Sequence, residues 1–157
     1  METSQSTVRP GGLLAVLAFA GIVASLTQTL VVPLLGQLPQ LLHTEASNAA
    51  WVVTSSLLVS AVVTPVSGRL GDMFGKRLVL VGSVVPVVIG SVVCALASSL
   101  WPMIIGRGLQ GMGVGIIPVG IAALRDLLPP RRLGSGIALI SSSLGIGGAL
   151  GMPLAAA

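Results

Sequence analysis

Apolar and polar positions along this chain alternate on the length scale of a bilayer rather than that of a strand or a helix turn. Apolar runs extend over about residues 12–35, 49–66, 78–98, 101–124 and 133–157, separated by short polar stretches. About 20 residues of α-helix cross a hydrocarbon core at a rise of 1.5 Å each, so each run has the length of one span. The period-2 alternation of a membrane β-barrel strand is not seen. Pro33, Pro65, Pro86, Pro102, Pro118 and Pro153 lie in or at the ends of these runs. They would damage a soluble core helix, but membrane helices tolerate Pro where neighbours re-satisfy the freed backbone groups. The pattern predicts an all-α, polytopic membrane helical bundle, with a tail over residues 1–11 and a transmembrane region of five helices over residues 12–157.

Composition excludes the soluble alternative. The chain is 54% hydrophobic and only 8% charged, whereas a soluble domain carries roughly 25% charged residues. Its 21 glycines among 157 residues suit helices that pack closely through small residues in lipid. The net charge of +4 does not make a nucleic-acid surface, because such a surface needs clustered basic residues on a solvated face. One histidine, His43, and one cysteine, Cys94, leave no disulfide, zinc or catalytic constellation. Neither an enzyme, a metal nor a cofactor is expected.

Arg9 followed by an apolar run and Ala18-Phe19-Ala20 imitates a secretory leader. The run continues to Leu35, beyond the 7–15 residues of a leader core, and is read as an uncleaved first span. Orientation follows from the basic residues. Arg9 precedes span one, Arg69, Lys76 and Arg77 separate spans two and three, and Arg125, Arg131 and Arg132 separate spans four and five. The link between spans one and two carries only His43 and Glu45. The amino terminus is therefore expected in the cytoplasm and Ala157 on the outer side.

Three clusters carry candidate chemistry. The first is Gly68-Arg69-Leu70-Gly71-Asp72-Met73-Phe74-Gly75-Lys76-Arg77, which holds four of the twelve formal charges of the chain. It reads as a short loop in which Gly68, Gly71 and Gly75 let another helix approach. Asp72 at this boundary could face the positive N-terminal end of a neighbouring helix; Lys76 and Arg77 alone would also serve topology. The second is Arg107, inside span four, with Gln110 three residues on and sharing its helix face. A charge inside a span costs about 2.5–3.5 kcal/mol and usually faces a bundle interior or wet cavity; the alternative is snorkelling from a position six residues after Trp101. Gly111 and Gly115 continue the same strip with the spacing of close helix packing. The third is span five, where Gly147 and Gly151 repeat that spacing and Pro153 should bend the helix. In span one, Thr27 and Gln28 are polar positions that either face the bundle interior or make simple helix–helix hydrogen bonds.

The first cluster resembles the signature loop of the major facilitator superfamily, G-x-L-a-D-r-x-G-r-r/k, at Gly68, Leu70, Asp72, Gly75, Lys76 and Arg77. Gly71 stands where Ala is common and Met73 where Arg is usual. In that family the loop latches the two halves of the transporter in the outward-facing state. Arg107, Gln110 and Gly111 resemble the family's fourth-helix motif, whose Arg is associated with proton coupling in antiporters. Gly147, Gly151 and Pro153 are similar to part of the fifth-helix antiporter motif. Leu26 and Thr29 resemble the first-helix motif of the fourteen-span drug:proton antiporter branch, but Thr27 stands where that branch has Asp. Trp51 and Thr54-Ser55-Ser56-Leu57-Leu58 are similar to the start of its second span.

The resemblance implies transmembrane transport of small molecules, as proton-coupled multidrug export, by the amino-terminal portion of a longer transporter. Its partners would be a small-molecule substrate, protons, the lipid bilayer and the remaining helices of the full transporter, with no nucleic acid. Its place would be the plasma membrane of a bacterium, which the single Lys against seven Arg and the abundant Ala and Gly also suggest through a GC-rich genome. The alternatives are a transporter of another solute and an inactive truncated membrane protein. No glycine string has the G-x-x-x-x-G-K-[ST] context of a phosphate site, so ATP-driven transport is not expected of this chain. In the 157-residue chain alone, transport is not expected, because alternating access rocks one bundle against another. The small-residue faces at Gly111, Gly115, Gly147 and Gly151 should then lie against lipid or another copy.

Overall fold

The computed structural model describes residues 10–156, so Arg9 with most of the expected tail, and Ala157, lie outside the described residues. These residues form helices α1 (Pro10–Thr29), α2 (Val31–Leu34), α3 (Leu38–Leu41), α4 (Ala46–Ala49), α5 (Trp51–Phe74), α6 (Lys76–Ala95), α7 (Leu100–Gly111), α8 (Ile116–Leu127) and α9 (Pro130–Ala156). A 3₁₀ turn over Met112–Gly115 joins α7 to α8. Among the described residues no strand occurs, and five segments are long and apolar enough to cross a membrane. The protein is an all-α membrane bundle.

Prolines account for some of the interruptions, while Pro65, Pro86 and Pro153 lie inside continuous helices. Proline removes an N–H and crowds the carbonyl four residues earlier. Pro33 stands four residues after Thr29, where α1 gives way to α2. Pro118 stands four residues after Val114, inside the 3₁₀ turn. Pro130 opens α9, where its missing N–H would have had no intrahelical partner.

The five spans pair as α1 with α9, and α7 with both α5 and α6. Apolar clusters close the two ends. At the end without Lys or Arg, Leu38, Leu42, Ala49 and Val52 pack with Leu100, Met103 and Ile104. At the charged end, Leu17, Leu124 and Ile140 pack with Leu14, Leu128 and Leu133.

Glycine seams set the spacing between these ends. A Cβ on Gly111 would lie 2.5 Å from the Ser56 carbonyl oxygen, and one on Gly115 2.5 Å from Ser67 Oγ. A Cβ on Gly147 would lie 2.5 Å from the Ile22 carbonyl oxygen, and Gly151 abuts the Thr29 side chain. This corrects the expectation that these faces meet lipid or another copy: α5 and α1 already cover them. A strip of bare backbone gains more dispersion contact against a neighbouring helix than against disordered lipid chains. Pro153 lies within an α9 that continues to Ala156 and is exposed.

Candidate functional site

The bundle interior between the two apolar clusters is polar. Arg107, on α7, is 2% exposed. Its Nη1 donates to the Thr27 carbonyl at 2.9 Å and to Gln110 Oε1 at 2.9 Å, and its Nη2 donates to Gln28 Oε1 at 2.9 Å. The amide nitrogens of the two glutamines are anchored in turn. Gln28 Nε2 donates to Ser56 Oγ at 3.1 Å, and Gln110 Nε2 donates to Ser91 Oγ at 3.1 Å. One network thus ties α1, α5, α6 and α7 together around a single positive charge. The planar fork of Arg suits this role, since one Lys ammonium presents no comparable fixed array.

Burial decides between the two readings of Arg107. A snorkelling side chain keeps its head in water or among headgroups; this one is enclosed by protein and bonded inward. The approach depends on Gly106, where a Cβ would lie 2.9 Å from the Gly90 carbonyl oxygen. That contact brings α6 against α7 and places Ser91 within reach of Gln110.

The four polar positions singled out in the sequence therefore meet, but not all in the expected way. Thr27 contributes its backbone carbonyl; its hydroxyl bonds back to the Val23 carbonyl at 2.7 Å. Ser56 and Ser91 also belong to the network. Ser56 lies in the string that resembles the start of the second span of the drug:proton branch, but the sequence singles out neither serine as a site residue, and the only signal for Ser91 is a small polar residue within an apolar run. Beside the network, α1, α6, Gln110 of α7, the 3₁₀ turn and Ile116 of α8 line an open groove of about 270 Å³. Phe19, Val23, Val84 and Val88 line it, and its polar side chains are Gln28 and Gln110.

At the charged end, Gly68–Phe74 is the last part of α5 and not a loop, and Lys76 and Arg77 open α6. The chain reverses at Gly75 alone, whose φ of +94° is open to glycine and strained for other residues. The expected approach of another helix at Gly68 and Gly75 is corrected: nothing lies within 4 Å of a Cβ built on either. At Gly71 a Cβ would make only ordinary contact with Val119 at 3.4 Å. The positive φ needed by an abrupt corner accounts for Gly75, and Gly68 faces open space.

Lys76 Nζ forms an ion pair with Asp126 of α8 and donates to the Ala122 carbonyl at 3.0 Å. Asp72 is exposed and, like Arg77 and Asp126, lines a concavity of about 640 Å³. Leu70 is also exposed. Among the described residues no cluster of metal-ligating side chains occurs.

Comparisons with known proteins identify the family. The family model described as Major Facilitator Superfamily matches residues 17–157. An uncharacterized MFS-type transporter of Mycobacterium tuberculosis (strain ATCC 25618 / H37Rv) is 42% identical over 127 residues, covering 81% of this chain and 18% of the relative. The multidrug transporter protein MdtP of Bacillus subtilis (strain 168) is 30% identical over 132 residues, covering 83% of this chain and 24% of the relative. A multidrug resistance protein B homolog of M. tuberculosis is 37% identical over 99 residues, covering 62% of this chain and 18% of the relative. The chain thus spans about a fifth to a quarter of the length of the curated relatives it matches. With five membrane-length helices packed around a buried Arg–Gln network, and a family match over nearly its whole length, this chain belongs to the major facilitator superfamily.

Proposed function

We propose that these helices form part of a proton-coupled exporter of small molecules, of the multidrug class, in a bacterial plasma membrane. The names of two relatives, a multidrug transporter and a multidrug resistance protein homolog, support the substrate class. The observation that carries the reading is Arg107: a fully enclosed positive charge held by Thr27, Gln28 and Gln110 beside an open groove. Buried intramembrane charges mark substrate and ion pathways, and a guanidinium held by neutral acceptors can exchange one of them when cargo or a proton arrives. The amino terminus is cytoplasmic in this reading, since Arg69, Lys76, Arg77, Arg125, Arg131 and Arg132 fall on one side. Asp72, Lys76 and Arg77 act as the conformational latch at that end.

The neutral Thr27, at a position where the drug:proton branch carries Asp, favours a second reading in which the cargo is not a cationic drug.

Everted membrane vesicles containing the full-length protein test the proposal. A proton gradient should drive accumulation of ethidium, and an uncoupler should abolish it. Arg107→Lys keeps the charge and loses the planar donor fork, so transport should fall about tenfold or more, a loss of ~1.4 kcal/mol in transition-state or coupling free energy. Accumulation that ignores the uncoupler, or normal coupling in the Lys variant, would overturn the reading.

A further inference from the structure

Close backbone approaches in this bundle fall into two groups. Gly147 and Gly151 of α9 meet Ile22 and Thr29 of α1, and a Cβ on Gly21 would lie 2.8 Å from Ser143 Oγ. With the bond from Ser25 Oγ to the Leu144 carbonyl at 2.7 Å, these contacts lock α1 to α9. Elsewhere, a Cβ on Gly90 would lie 2.6 Å from the Gly106 carbonyl oxygen, and one on Gly111 2.5 Å from that of Ser56. These lock α7 to α6 and α5, and Lys76 holds α8 to α6. Among the described residues, no glycine of α1 or α9 makes such an approach to α5, α6 or α7. At mid-span the two groups are joined by hydrogen bonds instead. Arg107 donates to the Thr27 carbonyl and to Gln28 Oε1, and Gln28 Nε2 donates to Ser56 Oγ.

The two kinds of contact give way differently. Interdigitated backbone cannot slide without opening voids in a close-packed interior. Hydrogen bonds can pass to water, at little net loss when each partner finds another. Apolar packing between the groups is concentrated at the charged end, where Leu17, Leu124 and Ile140 are buried together. At the opposite end, span one contributes only the half-buried Val31 and Leu35, beyond the break at Leu30 that separates α2 from α1.

We propose that α1 and α9 turn as one body against α5–α8 about the apolar cluster at the charged end, and that the bonds from Arg107 to Thr27 and Gln28 are the clasp that holds the two bodies closed. Opening leaves Arg107 its bond to Gln110 on its own helix, and the freed charged donors must then be served by water. The closed state is therefore favoured, and the clasp opens as Arg107 is rehydrated. The device goes beyond the exporter reading and stands without its cargo or coupling ion.

Spin-label distances in the purified full-length protein test the proposal, with Cys94 and any further native cysteine replaced by Ser. The pair Leu57→Cys with Leu150→Cys spans the clasp. The pairs Val23→Cys with Leu150→Cys and Leu57→Cys with Ile105→Cys each stay within one body, and all four side chains are exposed. Gln28→Leu removes the acceptor of Nη2 and the partner of Ser56. It should raise the ratio of long to short distances across the clasp at least about tenfold, because a charged donor then lacks its acceptor in the closed state. Both within-body distances should stay unchanged. Gln28→Glu offers a carboxylate, whose bond to a guanidinium is roughly twice as strong, and should hold the short distance alone. Should Gln28→Leu fail to fold, Gln28→Asn decides: its amide is one methylene short of Nη2, and the same lengthening is expected. An unchanged distribution across the clasp in the Leu or Asn variant would overturn the proposal. So would equal broadening of the within-body pairs, the mark of general loosening, or a long-distance population that grows in Gln28→Glu.

Discussion

The guanidinium of Arg107 and the backbone carbonyl of Thr27 lie 2.9 Å apart across 80 positions of sequence. The Thr27 hydroxyl takes no part, because it bonds to the Val23 carbonyl one turn back on its own helix. The adjacent residue, Gln28, meets Arg107 through its side chain. Two neighbours on one helix thus serve one charge by different chemistry, and they should respond to substitution in different ways.

Thr27→Val keeps the shape and the carbonyl and removes only a local back-bond, so unfolding should change by no more than about 0.5 kcal/mol. Gln28→Leu strips Nη2 of its acceptor and Ser56 of its partner. A buried donor left unsatisfied costs about 1–3 kcal/mol, and more when charged. Thermal unfolding of the two full-length variants in detergent should show a clear loss for Gln28→Leu alone. Equal melting temperatures would mean that the network contributes nothing to the folded state.

The glycine seam between α1 and α9 gives a second contrast. On Gly147 a new side chain would meet the Ile22 carbonyl oxygen at 2.5 Å and Ser25 Cβ at 2.9 Å, whereas at Gly145 nothing lies within 4 Å. Backbone cannot move aside as a flexible side chain can. Gly147→Val should therefore cost about 1–3 kcal/mol by overpacking, and Gly145→Val should be close to neutral. Unfolding curves of the two valine variants would settle the order.

Asp126 and Asp72 separate stability from transport at the charged end. The Lys76–Asp126 side chains are 22% and 63% exposed, and exposed ion pairs contribute about 0–1 kcal/mol. Asp72 is exposed and outside that pair. Asp126→Asn and Asp72→Asn should therefore insert normally and unfold within about 1 kcal/mol of the parent. If the corner is a latch, Asp72→Asn should reduce transport by shifting the balance between conformations. Efflux assays at matched protein levels test this, and full activity in Asp72→Asn would reduce the corner to a topology signal.

Orientation is open to a direct test. A reporter enzyme active only outside the cytoplasm should work when fused near Glu45 and stay silent near Lys76 or Pro130, following the basic residues. Activity of the Lys76 fusion would invert the bundle.

Hydropathy alone determined that the chain is a bundle of membrane helices, because run length and charge scarcity are one-dimensional quantities that a bilayer reads directly. Arg107 with Gln110 was legible for a related reason: a spacing of three residues on one helix brings two side chains together whatever else the chain does. The helix ends at the charged cluster were harder to read. Charge and glycine between Gly68 and Arg77 look like a loop in composition, yet one residue with a positive φ, Gly75, makes the whole reversal. What only the tertiary structure decided is which groups from distant helices complete the site. Ser56 and Gln28 are separated by 28 positions and Gln110 and Ser91 by 19. Their meeting depends on how closely Gly90 lets α6 approach Gly106, and Gly111 lets α7 approach α5. A serine in an apolar run can satisfy its own hydroxyl on the preceding turn, so the linear pattern has no sign of which serine has a partner across the bundle. The same holds for Thr27, whose contribution is a carbonyl that every residue possesses. Its role arises from position in three dimensions, one turn before the break at Leu30 where Pro33 interrupts the helix.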